Sequence, residues 1–338
     1  MRERPRRPRL DRMSHTHSPT GGQAHAAVQA GPSIDVAAQF RTAQQRVLDR
    51  YGVAANSRFI DVPVIGGRAH VLEAGDGPPL VMVIGGTIPA AMWAPLMAQL
   101  SGYRLYAMDL PGFGLTDAIP YEAASYRVTT VRFLAQLLDA LGLQRVPFVT
   151  NSTGSLWTNW LSLDHPDRVT AQVQIGCPAH VLGTAAPLPM RLVSIRSIGR
   201  LLMRMQPPSV EQVERVGHAV REDLAAVPEI RDVLLACERL PTYAESMLAL
   251  MHAHMRFGQP RREVVQTGAD LAAVRHPVQL IWGEDDPFGS VEVARRVAGY
   301  LPDAQLDIVP GGHAPWFHHA AQVARLALDF LHARAEAE

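Results

Sequence analysis

A serine, an acidic cluster and a histidine fall in that order along the chain, each at the end of a short apolar run. The run at Val146–Val149 leads into Thr150-Asn151-Ser152-Thr153-Gly154-Ser155. A second, Val278–Trp282, leads into Gly283-Glu284-Asp285-Asp286-Pro287-Phe288, and a third ends in Val309-Pro310-Gly311-Gly312-His313-Ala314-Pro315-Trp316. A serine hydroxyl is too weakly acidic to attack a carbonyl unaided, so an imidazole must take its proton and a carboxylate must hold that imidazole in the right tautomer. Ser152, an acid from residues 284–286 and His313 are side chains of those kinds. The first two also have plainer readings: Ser152 or Thr153 as a helix N-cap, the acids as a turn.

The surrounding pattern supplies the elements such residues need. Helical spacing of Val36, Phe40, Ala43, Val47 and Tyr51 predicts an amphipathic helix from Ile34 to Tyr51. Arg58–Val64 and Ala69–Glu73, separated by Gly66-Gly67, read as a hairpin. Apolar runs with little alternation at Leu80–Ile84, Leu105–Met108, Val146–Val149, Val169–Ile175, Val278–Ile281 and Leu306–Val309 predict strands buried on both faces. Helical segments at Ser125–Leu141, Thr153–Leu163, Val291–Leu301 and Phe317–His332 alternate with them, which predicts a mostly parallel sheet flanked by helices. The alternation breaks after Ile175, where a long helical stretch punctuated by prolines predicts an inserted cap. The expected organisation is a disordered tail over 1–33, a core over 34–177 and 263–338, and a helical cap over 178–262.

These residues in this order resemble the α/β-hydrolase superfamily over roughly Phe59 to Leu331. Its nucleophile elbow has the form G-x-S-x-G, and this chain departs from it with Thr150 at the first glycine. The resemblance implies Ser152 as nucleophile, His313 as general base and Asp286, directly before Pro287-Phe288, as the acid. Gly85-Gly86-Thr87 stands where the superfamily carries its oxyanion loop, with Ile84 replacing a supporting histidine; the implied donors are the backbone amides of Gly86 and Thr153. The loop Asp109–Asp117 also matches and is read as structural.

Asn151 and Trp316 resemble residues of meta-cleavage-product hydrolases, which break carbon–carbon bonds, and of esterases; both are taken as pocket residues. The expected function is hydrolysis of a small, largely apolar ester or related carbonyl compound through an acyl-enzyme. The alternatives are a carbon–carbon bond hydrolase and a non-catalytic member of the fold that binds a small ligand. Met247, Met251 and Met255 form a helical stripe, with Met251 the candidate pocket residue and core packing the competing role. Arg196, Arg200 and Arg204 form a second stripe, read as a carboxylate site or a solvated face, and Arg191 and His218 are further candidates without a stated partner.

Composition narrows the rest. The 32 basic and 32 acidic residues cancel, so no long-range field favours nucleic acid or an anionic membrane, and a small-molecule substrate is the expected partner. All the basic residues are arginines; the absence of lysine excludes Schiff-base chemistry and a Walker lysine. The chain has 14 histidines but no HExxH, and no metal or cofactor is expected. Cys177 and Cys237 fit no ligand or disulfide framework, which points to a reducing, cytoplasmic compartment. Arg6-Arg7 is followed by no apolar segment of the kind an export signal needs, and Met13 is an alternative start. No apolar run approaches the ~18 residues of a spanning helix. Oligomeric state is left open.

Overall fold

The computed structural model describes residues 35–335. The tail, its arginines and Met13 lie outside them. Helix α1 (Val36–Tyr51) begins where the Asp35 carboxylate accepts the Ala38 amide at 3.0 Å and ends at Gly52 in the left-handed region, φ 68°. Its Phe40, Val47 and Leu48 are buried.

Eight strands form one sheet: β1 (Ala55–Val62), β2 (Gly67–Ala74), β3 (Pro79–Val83), β4 (Arg104–Met108), β5 (Val146–Asn151), β6 (Val169–Ile175), β7 (Val278–Gly283) and β8 (Ala304–Val309). Their spatial order is β1-β2-β4-β3-β5-β6-β7-β8. β2 pairs antiparallel with β1 and β4, and the remaining pairs are parallel. The apolar strands β3 and β5 lie at the centre, where both faces are covered; that is why their sequences lack polar alternation.

The covering helices are the short α2 (Ala94–Met97), α3 (Tyr126–Ala140) and α4 (Thr153–Asp164) before the break, and α10 (Gly268–Ala272), α11 (Val291–Tyr300) and α12 (Trp316–Ala335) after it. Between β6 and β7 come α5 (Leu188–Val193), α6 (Arg196–Met205), α7 (Val210–Ala219), α8 (Pro228–Glu238) and α9 (Tyr243–His254). A two-residue hairpin, Met255–Arg256 with Gln259–Pro260, follows. Pro187, Pro208 and Pro228 stand at or near the starts of three of these helices, where a missing amide costs nothing, so prolines set the breaks. Helix α1 packs on α8, tying the inserted helices to the start of the fold. No helix among the described residues is long and apolar enough to cross a membrane.

Parallel strands bring their C-terminal ends to one edge, and the loops after β3, β5, β6, β7 and β8 meet there. One very close approach is at the start of α4, where a Cβ on Gly154 would lie 2.1 Å from the Val83 carbonyl oxygen. Gly299, exposed in α11, has nothing within 4 Å of the same position. Thermal or denaturant unfolding should therefore separate the two glycines. Gly154→Ala should cost roughly 1–3 kcal/mol or more through overpacking, and Gly299→Ala should add up to ~1 kcal/mol through helix propensity.

Candidate active site

The chain leaves β5 through Ser152 at φ 51°, ψ −112°, a conformation that a non-glycine residue adopts only when its surroundings hold it there. Reversing within one residue from strand to helix lifts the serine side chain clear of the backbone. Thr150, in place of the expected glycine, does not crowd this turn. It is fully buried, pairs in register with Val83 and Gln174, and its hydroxyl lies 2.8 Å from Ser155 Oγ and donates to the Val173 carbonyl at 3.4 Å. Gly154 is the position that tolerates no side chain.

Asp286 and His313 meet as a buried pair, with Nδ1 of the imidazole 2.8 Å from Oδ2 of the carboxylate. Asp286 also accepts the amides of Cys177 at 2.7 Å and Phe288 at 2.9 Å, so two loops fix its orientation before it meets the ring. Its neighbours Glu284 and Asp285 are not bonded to His313; their own amides donate to Val309 and Gly311 carbonyls. With Nδ1 committed to the carboxylate, Nε2 is left as the free ring nitrogen, and it is buried without a hydrogen-bond partner among the described residues. Nε2 and the Ser152 hydroxyl are not hydrogen-bonded to each other, although His313 and Ser152 front the same cavity. Contacts of this kind are commonly long before a substrate is bound.

That cavity has a volume of about 590 Å³ and lies between the strand-end loops and the inserted helices. Gly86 and Thr153 line it beside Ser152. Thr153 opens α4, so its amide has no intrahelical acceptor, and the N-terminal end of the helix dipole faces the same point. Gly85 and Gly86 are needed for close approach: a Cβ would meet Asn151 Oδ1 at 2.5 Å from Gly85, and Leu250 Cδ2 at 2.9 Å from Gly86. Thr87 sits at φ 74°, and its side chain hydrogen-bonds Tyr243 of α9. This bond ties the loop after β3 to the inserted helices.

Met251 lines the cavity as expected of a pocket residue, with Met247 and Met255. Asn151 lines it too, but its amide group donates to the Ile175 carbonyl at 2.8 Å and the His313 carbonyl at 3.2 Å, so it ties the elbow to the histidine loop. Trp316 is a correction. It is fully buried beside Trp93, ring centroids 4.3 Å apart, and donates to the Met92 carbonyl at 2.9 Å; the apolar ring is drawn into the core and does not line the cavity. Arg196, Arg200, Arg204 and His218 are exposed, and Arg191 donates to the Gly258 carbonyl at 2.7 Å; none lines the cavity. The loop after β4 is structural: the Asp109 carboxylate accepts the amides of Ala90 and Leu115 and meets His70 Nδ1 at 2.7 Å.

Sequence reasoning missed several contributors because they come from separate loops and helices with no shared motif. His180 and His254 line the cavity in a directional chain. Trp157 Nε1 donates to Tyr126 at 2.7 Å, the Tyr126 hydroxyl to His254 Nε2 at 2.5 Å, His254 Nδ1 to His180 Nε2 at 3.0 Å, and His180 Nδ1 to the Thr184 carbonyl at 3.3 Å. The chain is satisfied with both rings neutral, in keeping with burial lowering His254 and bringing His180 down to about 4. Glu222, between α7 and α8, is buried against the histidine loop and accepts the amides of Ala314, at 2.8 Å, and Gly312, while His313 donates its own amide to Val220 at 3.1 Å. A Cβ on Gly312 would collide with this turn, 2.5 Å from the Val220 oxygen, so the second glycine before His313 is required.

The comparisons with known proteins point to one fold. The family model for the alpha/beta hydrolase fold matches residues 78–193. The chain is 27% identical over 82% of its length to a 2-hydroxy-6-oxononadienedioate/2-hydroxy-6-oxononatrienedioate hydrolase of Burkholderia vietnamiensis, 96% of which is covered. It is 26% identical over 78% of its length to a 2-hydroxy-6-oxo-6-phenylhexa-2,4-dienoate hydrolase of Burkholderia cepacia, 91% of which is covered. Among solved structures, carboxylesterase CesB from Bacillus subtilis superposes with a TM-score of 0.70 at 21% identity, covering 88% of this chain and 99% of that one. The sheet order, the elbow and these likenesses show an α/β-hydrolase fold, and the proteins this chain is similar to are hydrolases. Within that class its relatives include both meta-cleavage-product hydrolases and carboxylesterases.

Burial, the largest cause, pushes Glu222 up to about 7 from 4.5, against the lowering effect of the amides and His313. The folded state therefore keeps this proton between about 4.5 and 7 while the unfolded chain releases it, and stability falls as pH rises through that window. Glu222→Gln, which keeps an acceptor for Ala314, should gain up to about 3 kcal/mol on the native protein between pH 4.5 and pH 8. Unfolding curves at the two pH values check it.

Proposed function

We propose that this protein hydrolyses a small, largely apolar ester or related carbonyl compound through an acyl-enzyme on Ser152. The observation that carries the reading is the convergence on one cavity of an elbow serine, an imidazole held by a buried carboxylate with its other nitrogen free, and backbone amides at a helix N-terminus. In the first half-reaction Ser152 Oγ adds to the carbonyl carbon as His313 Nε2 accepts its proton, and Asp286 stabilises the resulting imidazolium. The amides of Gly86 and Thr153 take the developing oxyanion, and the imidazolium returns its proton to the leaving alcohol. Water then enters by the same route to release the acid.

The inserted helices act as a cap that decides the substrate, since they supply most of the cavity wall. That wall contains neither arginine nor lysine among the described residues. An uncharged substrate suits it better than a dicarboxylate such as the dienedioate in the relatives' names. A carbon–carbon bond hydrolase remains the second reading, favoured by relatives aligned over 82% of this chain. A reducing, cytoplasmic compartment is supported by Cys177 and Cys237 both being free and buried. The small-molecule cavity likewise favours a protein that acts without nucleic acid or membrane.

A fluorophosphonate should label the wild type and fail to label Ser152→Ala, whose kcat on p-nitrophenyl esters should drop by roughly 10⁶. Asp286→Asn should lower kcat by roughly 10⁴. Full activity in Ser152→Ala removes the mechanism, and faster turnover of a 2-hydroxy-6-oxo-hexadienoate than of any ester makes carbon–carbon cleavage the function.

Met251 tests the cap. Enlarging it should reorder kcat/KM across acyl chain lengths by roughly 10- to 200-fold while leaving phosphonate labelling intact. An unchanged order in a stable variant takes Met251 out of the pocket.

A further inference from the structure

The cavity carries one carboxylate that the reaction above does not use. Glu238, the last residue of α8, lines the wall and is buried. The side chains of Gln212 from α7 and Tyr243 from α9 both donate hydrogen bonds to it, and Tyr243 in turn accepts one from Thr87 of the oxyanion loop. The group therefore stands one side chain away from the loop that lies beside Ser152. An ionised carboxylate has about four acceptor positions, and two donors do not exhaust them.

A second observation points the same way. Gln212 lines the same cavity, and its Oε1 is buried without a partner among the described residues. Glu238 thus keeps acceptor positions open, and among the described residues no arginine lines the cavity to meet them. The neighbouring imidazoles of His180 and His254 have both ring nitrogens engaged in their own chain. Burial, the main cause, pushes Glu238 up to about 7, as expected of a carboxyl group lacking a cationic partner.

We infer that Glu238, with Gln212 beside it, forms a substrate subsite that binds an ammonium or hydroxyl donor on the substrate and turns away carboxylates. A buried acceptor left unpaired costs about 1–3 kcal/mol, so a ligand that brings a donor satisfies what the protein itself leaves open. A carboxylate brought to the same place adds a like charge in a low-dielectric cavity. The inference rests on the ester-hydrolase reading and names the substrate class within it.

Matched p-nitrophenyl esters of equal chain length, ending in methyl, hydroxyl, ammonium or carboxylate, are compared at alkaline pH, where Glu238 is ionised. In the wild type, kcat/KM should be higher for the ammonium and hydroxyl esters than for the carboxylate ester. Glu238→Gln should shrink the ammonium-to-carboxylate ratio by roughly ten- to a hundredfold. An unchanged ratio in that variant overturns the subsite. Should Glu238→Gln not fold, Gln212→Leu should reduce the hydroxyl preference. Alkylammonium ions should also protect wild-type Ser152 from fluorophosphonate better than alkanoates of the same length, and equal protection counts against the inference. Absence of both phosphonate labelling and ester turnover defeats the hydrolase reading; labelling and turnover with flat ratios defeat the subsite alone.

Discussion

The turn from β5 into α4 constrains everything built around it. The helix starts so close to β3 that Gly154 lies against the Val83 carbonyl, and the chain can make that approach only by holding Ser152 at positive φ. The strain is offset by a central sheet buried on both faces and by the Thr150–Ser155 hydroxyl pair, which satisfies polar groups beneath the turn without occupying it. The same approach brings the oxyanion loop against the elbow, because Gly85 and Gly86 pack on Asn151 and Thr153. In the proposed mechanism, nucleophile and oxyanion donors are thus two results of one steric arrangement.

The histidine is held from both sides. Beneath it, Asp286 is itself oriented by amides from the loops after β6 and β7, and Asn151 reaches across to the carbonyl of His313. Above it, Val220 and Glu222 receive the amides of the histidine loop. Burying an acid there without a cation raises its proton affinity, so stability is traded for a fixed loop. The inserted helices consequently do more than roof the cavity. Through Glu222 the inserted segment holds the loop that carries His313, and through Tyr243 it is bonded to Thr87 of the loop after β3.

In the proposed function, substrate choice follows from what the cavity wall omits. Its surface is predominantly aliphatic, the neighbouring imidazoles are neutral, and the arginine stripe of α6 faces solvent. Most of the positive charge on the inserted helices is thereby spent on the outside. The isolated carboxyl group of Glu238 then sets the polarity inside.

How much of this was legible beforehand depends on the range of the interaction concerned. Strand and helix positions, the inserted segment, and the serine, acid and histidine were readable because apolar periodicity and motif spacing are local properties of the chain. Asp286 could be preferred over Asp285 and Glu284 only by resemblance, and its geometry depends on amides contributed from Cys177, over a hundred residues away. Trp316 looked like a pocket residue because it follows the histidine, yet burial against Trp93 decides its direction. Glu222, Glu238, Tyr243 and the His180–His254 pair carry no local signature at all. Their roles arise when helices distant in sequence close over the strand ends, leaving polar groups in a cavity with only one another as partners, and only the tertiary structure decides that pairing.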